Sequence, residues 1–236
     1  MNTCIITGVT SGIGRETVIA LGKKGTFKHL AMIGRDERRL LEVKTIVEKI
    51  GKATASIWIT DLSIPEKLPN IIDEINCKIG KIECLLNIAG YTDPQPLLTT
   101  TLENMKNTYS VNVFTPFVLM RECAKHMKKN GGKILNVAST AGITPRPGWL
   151  SYASSKAALI SMSETLTEEL SEYGILIYCV SPGRCATKLR KRLAPDEDPT
   201  TIMQPNEVAK VICNLVEENE HCLDGQNIII RKRINK

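Results

Sequence analysis

The chain has 236 residues, 42% of them hydrophobic and 24% charged, the balance of an ordinary globular protein with enough chain for one large core. A charge of +6 from 31 basic and 25 acidic residues is too small an excess to predict a nucleic-acid partner. No apolar run approaches the roughly 18 residues of a bilayer crossing, so no membrane association is expected.

The eight cysteines, Cys4, Cys77, Cys84, Cys123, Cys179, Cys185, Cys213 and Cys222, form no Cys-x-x-Cys pair and mostly sit in apolar segments. That predicts buried free thiols in a reducing compartment, with neither a disulfide frame nor a metal site. His29, His126 and His221 lack ligand spacing and carry no expected role. The opening Met1-Asn-Thr-Cys-Ile-Ile has no basic n-region or cleavage site, and a cytoplasmic location is expected.

The first apolar run, residues 2–7, reads as a short buried strand that passes straight into Gly8-Val-Thr-Ser-Gly12-Ile-Gly14, and a helical pattern follows over 15–24. Strand, glycine turn and helix in that order suit a pyrophosphate. Glycines let the backbone come close, and the helix start offers unpaired N–H groups and a positive dipole end. Further runs of strand length fall at 28–34, 54–60, 82–87, 133–139, 176–181 and 227–231. Helical patterns lie between nearly all of them, including 37–50, one beginning near Pro65, and 102–114. This alternation predicts an α/β fold: a doubly wound, Rossmann-like parallel sheet of about seven strands with helices on both faces, in a single domain. Ligands then bind beyond the carboxyl ends of the strands. Two proline-rich loops should flank such a site, Asp93-Pro-Gln-Pro96 and a lid-like stretch at about 188–205.

In Ser151-Tyr-Ala-Ser-Ser-Lys156, at the head of another helical pattern, Tyr152 and Lys156 stand four apart on one face. A phenol with a pKa of about 10 works as a general acid or base near neutrality when a cation stabilises its phenolate. Lys156 is placed to be that cation.

Taken together, Thr7-Gly8-x-x-x-Gly12-Ile13-Gly14, Asp61-Leu62, Asn87-Ile-Ala89-Gly90, Asn112, Ser139, Tyr152-x-x-x-Lys156 and Pro182-Gly183 come in family order over nearly the whole length. In them the chain resembles the short-chain dehydrogenases/reductases. The resemblance implies that Gly8, Thr10, Ser11, Gly12, Ile13 and Gly14 hold the cofactor's phosphates. It puts Asp61 and Leu62 at the adenine, although Asp61 also suits a cap for the helix near Pro65. Asn87, Ala89 and Gly90 would pass close to the cofactor, and Pro182, Gly183 and Thr187 would turn the nicotinamide and bond its carboxamide. Among the catalytic residues, Ser139 would donate to the carbonyl oxygen and Tyr152 would exchange the proton. Lys156 would bond the nicotinamide ribose and hold the tyrosine pKa down, and the helix backbone at Asn112 would anchor a water that relays protons to it.

The second strand ends Met32-Ile-Gly34-Arg35-Asp36. The resemblance aligns Gly34 with the acid of NAD-preferring members, leaving Arg35 free for a 2′-phosphate, so NADP (as NADPH) is expected. Asp36 is the rival, giving an NAD reading if it contacts the ribose, but it equally suits the N-cap of the next helix. Ser11 stands where many NADP-using relatives carry a basic residue.

Between Ser139 and Tyr152, Arg146 and Trp149 are candidate substrate contacts that could equally face solvent or a neighbouring subunit. The basic run Lys188-Leu-Arg-Lys-Arg192 hints at a small anionic or sugar-derived carbonyl compound, or neutralises cofactor phosphates. The expected activity is NADPH-dependent reduction of a small ketone or aldehyde, or oxidation of the matching alcohol. One alternative is a 3-oxoacyl-carrier-protein reductase of fatty-acid synthesis, docking an acidic carrier on Arg121, Lys125, Lys128 and Lys129 near the site entrance. The acidic Glu168-Glu-Leu-Ser-Glu172 counts against it. The other alternative is an NADP-binding regulatory protein, which the intact catalytic set disfavours. A homodimer on helices 102–128 and 152–172 is expected ahead of a homotetramer, because Arg231-Lys-Arg-Ile-Asn-Lys236 replaces the tail that packs in tetrameric relatives.

Overall fold

The computed structural model describes residues 2–217 and 219–232; the last four residues of the basic tail lie outside them. Seven strands form one sheet: β1 (Thr3–Thr7), β2 (His29–Gly34), β3 (Thr54–Ile59), β4 (Ile82–Asn87), β5 (Gly132–Val137), β6 (Ile175–Pro182) and β7 (Asn227–Ile230). All pairings are parallel and the order is β3-β2-β1-β4-β5-β6-β7.

Alternate strand residues feed opposite cores, as a two-residue side-chain period requires. Cys4, Ile6, Leu30, Met32, Cys84 and Leu86 face one layer with α1 (Gly12–Lys24), α2 (Glu37–Ile50) and α8 (Pro205–Leu215). Ile5, Ala31, Ile33 and Leu85 face the other, with α3 (Leu68–Ile79), α5 (Thr115–Met127) and α6 (Leu150–Ser171). Each fully buried Leu, Ile or Val contributes about 1.5–3 kcal/mol. Because the winding reverses between β1 and β4, a crevice opens beyond their carboxyl ends. Thr7 ties the two loops there: its hydroxyl accepts from Ile88 N and Ala89 N, both at 3.1 Å.

Several boundaries differ from the sequence expectation. α1 begins at Gly12, so Gly12 and Gly14 lie inside its first turn. β5 stops at Val137; Ser139 lies beyond it and caps a short turn at Thr140–Gly142, accepting from Ala141 N at 3.1 Å. The helix expected over 102–114 is α4 (Leu102–Tyr109), which passes through a π-helical turn at Ser110–Phe114 directly into α5. The stretch 188–205 is not a plain loop: it contains α7 (Lys188–Leu193) and a 3-10 turn at Pro199–Thr201.

The basic surface expected at the site entrance is elsewhere. α5 runs back against the strands and leads into Gly132 at the start of β5, which puts Lys125, Lys128 and Lys129 at the end of the sheet opposite the crevice. Arg121 and Lys125 each pair with Glu122 at 2.6 Å. Six cysteines are buried free thiols, and Cys77 and Cys222 are exposed. Among the described residues no helix is long and apolar enough to cross a membrane, and no cluster of His, Cys, Asp or Glu could hold a metal.

Candidate active site

A cleft of about 670 Å³ runs along the carboxyl ends of the strands. Gly8, Thr10, Ser11, Gly12, Ile13 and Gly14 line one side, Arg35, Asp61 and Leu62 one end, and Ala89 and Gly90 the floor. Ser139, Arg146, Trp149, Tyr152 and Lys156 line the far end with Pro182, Gly183 and Thr187. Two expected residues do not line it. Asn87 is buried and donates to Asn136 Oδ1 at 2.8 Å, so its side chain serves the β4–β5 pair while Ile88 to Tyr91 form the wall. Asn112 is fully buried in the π-helical turn.

The glycines are demanded by space. Gly8 has φ +75° and approaches β4 so closely that a Cβ there would meet Ala89 N at 2.7 Å. A Cβ on Gly14 would sit 2.2 Å from Gly8 O. The backbone can therefore close into a tight cradle at the N-terminus of α1, and a dinucleotide pyrophosphate fits that chemistry: unpaired N–H groups, the positive dipole end, and no side chains in the way. Thr92 also lines the cleft, and its Oγ1 is buried without a hydrogen-bond partner among the described residues.

At the end near β2, Arg35 is largely exposed and lies 3.6 Å from Asp61 Oδ2. Two bonds from Ser63, on its N–H and its hydroxyl at 2.9 Å each, hold the Asp61 carboxyl below the usual range, and Arg35 adds to the effect. Asp36 caps α2, accepting from Arg39 N at 3.1 Å, and pairs with Arg39 Nε at 3.2 Å. Arg39 also lines the cleft, giving a second guanidinium that the sequence reading missed. Its place one turn into α2, three residues past the cap, was the available signal.

At the other end, Tyr152 and Lys156 are 5% and 3% exposed. Lys156 Nζ donates to Val137 O at 2.8 Å; burial lowers its pKa to about 8. Burial raises the Tyr152 pKa, and the Ser139 hydroxyl and the Arg190 charge pull it back down. Arg190, from α7, is thus a cation near this phenol that the sequence reading did not foresee, in addition to Lys156 one turn away on the phenol's own helix. Asn112 clamps the wall: its Oδ1 accepts from Tyr91 N at 2.8 Å and its Nδ2 donates to Tyr91 O at 2.9 Å and Ser155 Oγ at 3.0 Å. Thr187 caps α7 by accepting from Arg190 N at 3.0 Å. Trp149 meets Tyr152 edge-on, ring centroids 6.5 Å apart, while Arg146 is exposed at the rim. Arg184, Arg190, Leu189 and Leu193 complete this end; the basic run marked the region, but charge alone did not reveal their partners.

A family model for short chain dehydrogenase matches residues 2–198. A 3-oxoacyl-[acyl-carrier-protein] reductase of Thermotoga maritima is 29% identical over 234 residues, covering 95% of this chain and 94% of the relative. A 2,3-dihydro-2,3-dihydroxybenzoate dehydrogenase of Bacillus subtilis is 31% identical over 194 residues, 82% of this chain and 73% of the relative. Among solved structures, a short-chain type dehydrogenase/reductase from Mycobacterium marinum superposes with a TM-score of 0.89 at 24% identity, covering 98% of this chain and 94% of that one. The chain belongs to the short-chain dehydrogenase family and is an NAD(P)-dependent oxidoreductase.

Proposed function

We propose that the protein is an NADPH-dependent reductase of a small ketone or aldehyde, working in reverse on the matching alcohol. The observation that carries this reading is one cleft with a glycine cradle at one end and Ser139, Tyr152 and Lys156 at the other. When bound, the dinucleotide supplies or accepts the hydride. The chain's own residues do the rest. Gly8 to Gly14 bind the pyrophosphate, and Arg35 with Arg39 takes the 2′-phosphate. The Ser139 hydroxyl donates to the substrate oxygen, Tyr152 gives that oxygen its proton, and Lys156 bonds the nicotinamide ribose. Pro182, Gly183 and Thr187 seat the nicotinamide. Asn112 holds the wall at Tyr91 and, through Ser155, the helix that carries Lys156. Trp149 and Arg146 bound the substrate.

Asp61 with Leu62 closes the adenine end, and Asp36, already bonded at both oxygens to Arg39, is a poor ribose ligand for NAD. The exposed apolar residues Leu102, Phe114 and Phe117 support a homodimer through α4 and α5. The matched Thermotoga reductase favours one second reading, reduction of a carrier-bound 3-oxoacyl group. A carrier would have to dock on Arg146, Lys188 and Arg192 at the cleft, because the basic residues of α5 lie at the far end of the sheet.

The test is NADPH oxidation with a panel of small carbonyl compounds and a 3-oxoacyl carrier thioester, with Tyr152→Phe as control. Tyr152→Phe should lose about 10²–10⁴ of the rate while binding NADPH normally. Tight NADPH binding with no turnover on any compound would refute the reading.

A further inference from the structure

Glu197 holds two arginines that come from different segments lining the cleft. Its Oε1 accepts from Arg184 Nη1 at 3.2 Å and from Arg190 Nη2 at 2.7 Å, and its Oε2 accepts from Arg190 Nε at 2.5 Å. Arg184 sits in the loop after β6, beside Gly183; Arg190 sits on α7. The Arg190 and Glu197 side chains are only 19% and 14% exposed, so this two-bond fork is shielded from the screening that makes surface ion pairs weak.

The same arginine reaches the site. Its guanidinium carbon lies 5.5 Å from the Trp149 ring centroid, and Trp149 meets Tyr152 at 75° between ring planes. Leu189 and Leu193 of α7 pack with Trp149, Ala153, Ala141 and Tyr152. A six-residue helix is too short to persist on its own propensity. What holds α7 down is this small apolar cluster and the Glu197 fork.

We propose that Glu197 latches α7 over the cleft through Arg184 and Arg190, and that Arg190 is a positioning residue whose seat on Trp149 couples docking of this helix to proton transfer at Tyr152. The coupling rests on the oxidoreductase reading above, in which Tyr152 exchanges the substrate proton. The charged groups at this end of the cleft are Lys156 from the phenol's own helix, Arg190 with its counter-ion Glu197, Lys188 and Arg192 from the α7 side, Arg184 from the loop after β6, and Arg146 at the rim of the segment before α6. In alcohol oxidation the hydroxyl proton passes to the Tyr152 phenolate and the carbon's hydride leaves to the oxidised nicotinamide. The rate therefore rises as pH passes the tyrosine pKa. Arg190 favours the phenolate and Glu197 opposes it, so removing each charge should move that rise in opposite directions.

Two measurements test this. The first needs no turnover. The chain has two tryptophans, so in a Trp58→Phe background Trp149 is the remaining one, and acrylamide quenching reports whether α7 covers it. Quenching should rise severalfold in Glu197→Ala and Arg190→Met and by less in Arg190→Lys, which keeps the charge but not the two-bond fork. The second is the pH–rate profile of alcohol oxidation. Its rise should move up by about one pH unit in Arg190→Met, move down in Glu197→Gln, which keeps an acceptor for the arginine, and move less in Arg190→Lys, which keeps the charge, than in Arg190→Met. Equal quenching in all variants would overturn the latch. Superimposed profiles that differ only in height would overturn the coupling. An enzyme without turnover on any carbonyl or alcohol would instead remove the oxidoreductase reading, and quenching would still decide the latch.

Discussion

The Lys156 ammonium donates to the Val137 carbonyl across 2.8 Å, inside a site where the lysine is almost completely covered. One hydrogen bond does not offset the loss of water, and the pKa falls to about 8. The free protein carries this charge at a cost to its stability. Below the folded pKa both folded and unfolded lysines are protonated and the penalty is fully present. Between about pH 8 and the unfolded value near 10.4, the folded lysine releases its proton while the unfolded one keeps it, so stability rises with pH. Lys156→Met should therefore be more stable than the parent at pH 7, by on the order of 2 kcal/mol, with the difference shrinking toward pH 10. Denaturant unfolding of both proteins without cofactor checks this; a lead for the variant that grows with pH would contradict it.

Gly14→Ala should damage both fold and cradle, because the added carbon would lie 2.2 Å from a backbone oxygen that cannot step aside. Overpacking of this kind costs about 1–3 kcal/mol, and at about 2–4 °C per kcal/mol for a chain of this size the melting temperature should drop visibly. Calorimetry and NADPH titration together measure the two losses.

Gly34 is where cofactor choice should be easiest to reverse. The atoms nearest to a Cβ there are Leu40 side-chain carbons, at 3.6 Å or more, so a side chain can start here without a clash. An aspartate carboxylate would repel a 2′-phosphate and accept from a ribose hydroxyl. Gly34→Asp should lower the preference for NADPH over NADH by about a hundredfold, roughly 3 kcal/mol, measured as the ratio of dissociation constants. Arg35→Ala should weaken NADPH alone.

Thiol reactivity should split cleanly. Burial pushes the Cys185 thiol up to about 12 and the Cys179 and Cys213 thiols up to about 11. The native protein should react with a disulfide reagent at Cys77 and Cys222, and at all eight positions once unfolded. Mass spectrometry after brief labelling identifies the sites.

The strands were legible because their apolar runs are short, bounded and separated by helical patterns; even the errors at Ser139 and Gly12 are of a residue or a few at element ends. The glycine turn, Ser139, Tyr152 and Lys156 were legible because spacing along one strand end or one helix face brings them together. Asn87 misled because a strand-end asparagine can point along the sheet or into the crevice, and only the Asn136 amide across from it decides which. Arg190 was seen as charge but not as a neighbour of Trp149. That contact depends on Glu197, seven residues further on, and no periodicity encodes an ion pair across a turn.

The change of pitch at Ser110–Phe114 gives one continuous rod two separate duties. α4 leans on α6, while α5 lies on the sheet and α3. A regular helix through this point would hold one stripe in line from end to end. Winding the same residues as a regular helix would swing the buried Asn104 and Thr108 about 100° relative to α5 and withdraw the Asn112 amide from Tyr91.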